Sequence, residues 1–437
     1  MPTIARPLLP LTPWLAAALA CSAAAPQSAP TTTTIDAGSD PASFDLERIT
    51  TRVPFPRGLA LVNDKLFVLS RGRVRESGGV SRDVLDQAGT IWEVDPLIGQ
   101  PLHGRPSEAV RANGRTFAVP TEPPFRLWDR NAEPPTADRR TDRPYCSLRY
   151  HEPTHSFYLC AFSGIDKPER KGENPFSKNL SDAVLRYDTR TAKWYEVERH
   201  DIEAGGSYPH HDPAAAPPPH GWLNGPDNCL AVNDSLYVVA KDNSVLVRYD
   251  LSRLVADPEA QPPPSQLVLD ENIELVGLGA QRLLGHSMLA EHDGYLYIGY
   301  RTSSVIVRIK LDERGLPVRP ITGELVARFA PYDATTRTSA NLTDMVFDRQ
   351  GNLYVVSAKP SRVHRFRPDP DHVYDARDRS RAAWLDLAAL TGNAEMKSEN
   401  VLVDAEGRVY VTSGDAYDFQ SGAGGVVYRA TPRRSTL

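Results

Sequence analysis

Runs in which apolar and polar residues alternate recur along the 437-residue chain, and a second, almost wholly apolar run follows each of them. Pairs of this kind are "PRGLALVNDKLFVLS" from Pro56, "PDNCLAVNDSLYVVA" from Pro226, "HSMLAEHDGYLYIG" from His286, "LTDMVFDRQGNLYVV" from Leu342 and "SENVLVDAEGRVYVTS" from Ser398. A variant, "YCSLRYHEPTHSFYLC", lies between the first two. Alternation at period two marks a strand with one buried face, and a continuous apolar run marks a strand buried on both faces. Between the runs stand turn residues. Asn-Asp pairs suit two-residue hairpins, and Gly294, Gly351 and Gly407 fall where a left-handed backbone is needed. Each copy therefore predicts a tight antiparallel hairpin.

Aligned on the aromatic residue of the second run, the copies are anchored at Phe67, Tyr158, Tyr237, Tyr297, Tyr354 and Tyr410. A third strand is expected after each: "GTIWEVDP", "DAVLRYDTR", "SVLVRYDLS", "SVIVRIKLD", "SRVHRFRPD" and "GGVVYRATP". A fainter fourth follows in "KWYEVER", "SQLVLDE", "ELVARFA" and "AAWLDLA". Four antiparallel strands repeating at about fifty to sixty residues predict an all-β, six-bladed β-propeller spanning 44–437. After "GGVVYRATP" no fourth strand is left, while "FDLERITTR" (Phe44–Arg52) belongs to no complete blade. This N-terminal strand is expected to complete the last blade and close the ring, which would leave no unpaired edge there. The Pro-rich stretch 100–142 is read as the fourth strand of the first blade plus a long excursion.

Composition narrows the setting. Fifty Lys and Arg against 55 Asp and Glu leave a net charge of −5, so no basic surface argues for nucleic acid. With 38 prolines and 29 glycines, long helices are not expected. Residues 1–20 read as an export signal, with Arg6 ahead of the apolar "PLLPLTPWLAAALAC". Ala18-Leu19-Ala20-Cys21 resembles a bacterial lipobox, which would lipidate Cys21 and anchor the protein in the periplasm or at the cell surface. The same residues satisfy an ordinary Ala-x-Ala cleavage site, which would give a soluble secreted protein. Residues 21–43, rich in Pro, Ala and Thr, form a tether on either reading. In an oxidising compartment Cys146 and Cys160, equidistant from the turn at Pro153, would face each other as a cross-strand disulfide or as two buried thiols. Cys229 is expected to stay a core thiol.

Candidate chemistry gathers where the strands begin. Ten positions before the anchor stand Arg57, Asp227, Ser287, Asp344 and Asn400, with Asn228, His286, Asn341 and Glu399 beside them. First strands of a propeller line its channel, so these side chains should converge at one mouth. Asp227, Asn228, Asp344, Asn400 and Glu399 would then form a hard-oxygen cluster for Ca²⁺ or another divalent ion. Arg57 would either pair with a carboxylate or receive an anionic ligand group, and Ser287, His286 and Asn341 would contact a ligand. Long loops fall on the same rim: "RGRVRESGGVSRDVLDQA", "GIDKPERKGENPFSKNLS", "GDAYDFQSGA" and "AGGSYPHHDPAAAPPPHGWLN". The histidines of the last of these, His210, His211 and His220, read as surface residues in a loop without fixed geometry.

The hairpins "PDNCLAVNDSLYVVA" and "LTDMVFDRQGNLYVVS" resemble those of NHL-repeat proteins and of the gluconolactonase/regucalcin/strictosidine-synthase-like six-bladed propellers, over roughly residues 44–430. The resemblance implies a divalent metal at the channel mouth, held by Glu, Asn, Asn and Asp, each opening a first strand. Asp227, Asp344 and Asn400 match such positions, whereas Arg57 replaces the first-blade glutamate and Glu399 lies one residue from an opening position. A lactonase- or esterase-type hydrolase would polarise a carbonyl on that metal, with Asp344 or Asp227 activating water. The segment "VYVTSGDAYDFQSGAGGVVYRA" is similar to one blade of the quinone-dependent sugar dehydrogenases. Two functions are therefore expected: a propeller binding a small molecule, glycan or protein at its decorated rim, or a metal-dependent hydrolase. Neither reading involves nucleic acid, and a membrane enters only through Cys21.

Overall fold

The computed structural model describes residues 44–50, 56–70, 73–76, 83–87, 90–94, 100–101, 116–118, 144–161, 181–201, 223–331, 340–413 and 425–432, less 192, 224, 242, 359, 378–382 and 394–395. The export signal, the tether, Cys21, the 210–220 histidines and most of the long loops lie outside these residues. The described chain is all-β, a propeller with antiparallel blades. No described helix is long and apolar enough to cross a membrane.

The described strands pair into six sheets of four or more strands, plus a two-stranded ribbon, Arg73–Glu76 with Asp83–Gln87. The first sheet runs Pro56–Val62, Lys65–Ser70, Thr90–Val94 and Thr116–Ala118. The second runs Pro144–His151, Ser156–Ala161, Ser181–Asp188 and Lys193–Asp201. The third runs Pro226–Val232, Ser235–Ala240, Val245–Asp250 and Gln266–Leu269. In the fourth, His286–His292, Tyr295–Tyr300, Val305–Lys310 and Thr322–Phe329 pair in order, and three short strands extend the outer edge. The fifth runs Leu342–Phe347, Leu353–Ser357, Arg362–Phe366 and a two-residue outer strand, Leu385–Asp386. The sixth joins Ser398–Val403, Val409–Ser413 and Val426–Pro432 to Phe44–Thr50. That last pairing runs antiparallel from Phe44 opposite Pro432 to Thr50 opposite Val427, and the Arg429 guanidinium holds Glu47 across it at 2.6 Å.

Turn chemistry and anchors account for the repetition. Asn63 and Asp64 adopt positive φ between Val62 and Lys65, as do Asp293 and Gly294 between His292 and Tyr295, which is the backbone of a two-residue hairpin. In the fifth sheet Asp348 caps a longer turn, accepting the amides of Gln350 and Asn352 at 2.9 and 2.8 Å and the Tyr354 hydroxyl at 3.1 Å. Asp404 does the same for Glu406, Arg408 and Tyr410 in the sixth. The anchor tyrosine thus ties each of these two turns to its own sheet. Opposite the anchors, on the third strand, stand Arg186, Arg248, Arg308, Arg365 and Arg429, whereas Phe67 faces Glu93.

The cores lie between sheets rather than within them. Six apolar clusters are each shared by neighbouring sheets, such as Leu69 with Leu159 and Val239 with Ile298. The sixth cluster joins Tyr410 and Val427 to Leu59, Leu66 and Val68 of the first sheet. Close approach of inner strands shows at Gly58, where an added Cβ would stand 2.6 Å from the Leu148 amide nitrogen.

Candidate functional site

A β-bulge opens the inner strand in five of the sheets. The register slips between Pro56 and Gly58, Pro226 and Asn228, His286 and Met288, Leu342 and Asp344, and Ser398 and Val401. A bulge turns an extra side chain away from the regular alternation, and bulges are concentrated beside functional sites. The bulged residues are Arg57, Asp227, Ser287, Thr343 and Glu399. One position further in lie Gly58, Asn228, Met288, Asp344 and Asn400. Counting ten back from the anchor therefore mixes two levels. The fifth and sixth turns are longer, so Asp344 and Asn400 sit one level deeper than Arg57, Asp227 and Ser287. Glu399, the neighbour of a predicted position, is the true counterpart of Asp227.

Strands far apart in sequence do meet here. Asp344 is fully buried and is held by three donors: Arg149 Nη2 at 2.8 Å, Asn228 Nδ2 at 3.0 Å and the Val401 amide at 3.1 Å. These come from the second, third and sixth sheets, so one carboxylate links four inner strands. Arg57 pairs with Glu399 across the junction of the first and sixth sheets, with Lys397 Nζ 3.8 Å from the other carboxylate oxygen. Lys241 donates to Asp227 at 3.2 Å. Each of the three carboxylates therefore has a basic partner. Arg149, Lys241 and Thr343 were not anticipated from sequence. Arg149 lies opposite the anchor Tyr158, deeper than any predicted position.

The basic partners bear on the metal question. Among the described residues no group of three or more His, Cys, Asp or Glu is arranged to hold an ion. As arranged, the hard-oxygen set does not fit a divalent cation, because Arg149, Arg57 and Lys241 already engage the three carboxylates Asp344, Glu399 and Asp227. Asp344, one of the two expected bases, accepts these three hydrogen bonds in full burial. Four buried oxygens are left over. Asn228 Oδ1, Asn400 Oδ1, Glu399 Oε1 and Ser287 Oγ have no hydrogen-bond partner among the described residues. The orientation of both amides follows from their own donors: Asn228 Nδ2 is used by Asp344, and Asn400 Nδ2 by the Glu399 carbonyl at 2.8 Å.

His286 opens the inner strand of the fourth sheet. It is fully buried, its ring centroid is 4.4 Å from that of Tyr300, and neither ring nitrogen has a hydrogen-bond partner among the described residues. Burial pushes its pKa down to about 3, so it is a neutral imidazole at pH 7 and a poor base. Tyr300 is pushed up by the same burial, which keeps its hydroxyl protonated. Asn341 is a backbone element of the strand entry, with φ 45 and its carbonyl accepting from the Ala358 amide at 3.0 Å. Cys146 and Cys160 are cross-strand partners as predicted, yet Cys160 is a thiol, as is Cys229, and both are buried.

No family model and no curated protein matches the sequence. Among solved structures, the chain is similar to the soluble aldose sugar dehydrogenase of Escherichia coli (11% identity, TM-score 0.44, covering 89% of this chain and 100% of that one). It is similar also to regucalcin, a calcium-binding protein of Agrobacterium tumefaciens (10%, 0.40, 90% and 96%). A third is the virginiamycin B lyase of Staphylococcus aureus (9%, 0.39, 89% and 99%). Identities this low carry no activity across, and the propeller rests on the strand pairing of the chain itself.

Proposed function

We propose that this chain is an exported, Cys21-anchored, six-bladed propeller, its ring completed by Phe44–Thr50, that binds a neutral ligand rich in hydrogen-bond donors at its channel mouth. A small polyol or glycan has that chemistry. Export and anchoring rest on the apolar leader and the Ala18-Leu19-Ala20-Cys21 tetrad. The six-bladed ring is supported by the cyclic sharing of apolar clusters and by the Glu47–Arg429 and Arg57–Glu399 pairs between the chain's ends.

The observation that carries the binding reading is the set of buried oxygens on Asn228, Asn400 and Ser287 that have no hydrogen-bond partner among the described residues. Each unmatched acceptor costs about 1–3 kcal/mol, and a hydroxyl-bearing ligand offsets that cost. A basic partner on each carboxylate weakens the attraction for a metal and leaves hydrogen bonding to set specificity.

Calorimetric titration with neutral mono- and oligosaccharides and cyclic polyols, beside carboxylates and divalent cations, tests this reading. Neutral hydroxylated ligands should bind, and Asn228→Ala should weaken them by about tenfold, one hydrogen bond's worth. Stoichiometric Ca²⁺ or Zn²⁺ in the purified protein, with lactone or ester turnover lost in Asp344→Ala, would establish the metal-dependent hydrolase instead.

A further inference from the structure

Each of the two asparagines that leave an oxygen over is followed by a residue whose amide is held from the preceding sheet. The Cys229 amide, next after Asn228, donates to the Ser147 hydroxyl of the second sheet at 3.1 Å. The Val401 amide, next after Asn400, donates to Asp344 Oδ2 of the fifth sheet at 3.1 Å. Asp344 does more than Ser147, because its other oxygen accepts from Asn228 Nδ2 at 3.0 Å and from Arg149 Nη2 at 2.8 Å. A carboxylate only accepts, whereas a primary amide donates from its nitrogen and accepts at its oxygen. Turned over, Asn228 would set its own oxygen against Asp344 Oδ1 with no proton between them. Its nitrogen therefore stays on Asp344, and Oδ1 is left buried without a hydrogen-bond partner among the described residues. Asn400 is fixed on two further sides: its backbone amide donates to Thr412 Oγ1 at 3.0 Å, and its Nδ2 to the Glu399 carbonyl at 2.8 Å.

We infer that Asp344 is a positioning residue that sets the hydrogen-bond polarity of the mouth, holding Asn228 with its oxygen free to accept and pinning the strand that presents Asn400. The inference rests on the binding reading above and deepens it, because it names what the ligand must bring. At each asparagine the ligand meets an acceptor. A hydroxyl satisfies such an oxygen, whereas an ether in the same place meets it lone pair to lone pair and leaves it unmatched. The class selected is thus an alcohol over its own methyl ether, the kind of discrimination a buried polar group enforces on an analogue that lacks the matching hydrogen. Arg149 acts through Asp344, since its guanidinium shares Oδ1 with Asn228.

Magnetic resonance of the full-length chain, isotopically labelled at asparagine nitrogen, tests this role without any ligand. The side-chain amide pair that vanishes in Asn228→Ser belongs to Asn228. One of its protons should lie well downfield in wild type and move upfield in Asp344→Asn, where the acceptor-only partner is gone. Calorimetry with a cyclic polyol and its O-methyl ethers gives the second readout. Wild type should prefer the polyol by about tenfold, one hydrogen bond's worth, and Asp344→Asn should lose that preference. No downfield Asn228 proton in wild type, or the same polyol preference in both proteins, would overturn the assignment. The spectrum decides even where no polyol binds, so this role and the binding reading fail separately. It decides on wild type alone should Asp344→Asn not fold.

Discussion

A buried carboxylate is stable only if its neighbours return what desolvation takes away. Asp344 meets that condition through Arg149, Asn228 and the Val401 amide. Asp344→Ala strands the Arg149 guanidinium, so chemical denaturation should show a loss of about 3–5 kcal/mol. The Arg149→Ala, Asp344→Ala double variant should lose less than the two single losses together, because no charge is then left unpaired. His286 gives a second outcome at this scale. Below its ordinary value of 6.5 the unfolded chain takes up a proton that the folded chain, with its pKa near 3, refuses. His364 behaves alike, pushed down to about 4 mainly by burial. Stability should therefore be flat above pH 6.5 with respect to these groups. It should fall as pH drops below that value, by at most about 1.4 kcal/mol per unit per histidine. His286→Phe should flatten that acid limb in denaturation curves collected from pH 4 to pH 8, and an unchanged limb would remove His286 from the account.

The hairpins were the most legible elements. Period-two alternation, Asn-Asp and Gly turns and an aromatic anchor are local properties, and the paired strands follow them closely from Pro56 through Ser413. Outer strands were less so. The Leu385–Asp386 strand has two residues, and three added strands extend the fourth sheet, because edge pairing depends on what lies beside the edge. Register at the strand openings was misjudged by one residue in the fifth and sixth sheets. The longer turns capped by Asp348 and Asp404 shift the count, and the bulges at Thr343 and Glu399 leave no mark in an apolar/polar pattern.

For the whole molecule, the strand Phe44–Thr50 matters out of proportion to its length. It pairs with Val426–Pro432, places Ile49 in the cluster shared by the sixth and first sheets, and carries Glu47 to Arg429. Removing residues 1–52 should abolish the single cooperative thermal transition, whereas neutralising only Glu47 should cost at most about 1 kcal/mol, since that carboxylate is partly exposed. An unchanged calorimetric midpoint after truncation would deny this strand its structural role.

By itself the sequence determined the repeat, the hairpin chemistry and the gathering of polar residues at the strand openings, because periodicity and turn preference act over a few neighbouring residues. Tertiary structure alone decided which of those residues meet. Arg149 reaches Asp344 from 195 positions away, and Arg57 reaches Glu399 across the two ends of the chain. Such pairings depend on the order of sheets and the depth of each bulge. They set an arginine or a lysine against each of the carboxylates that read like a metal site.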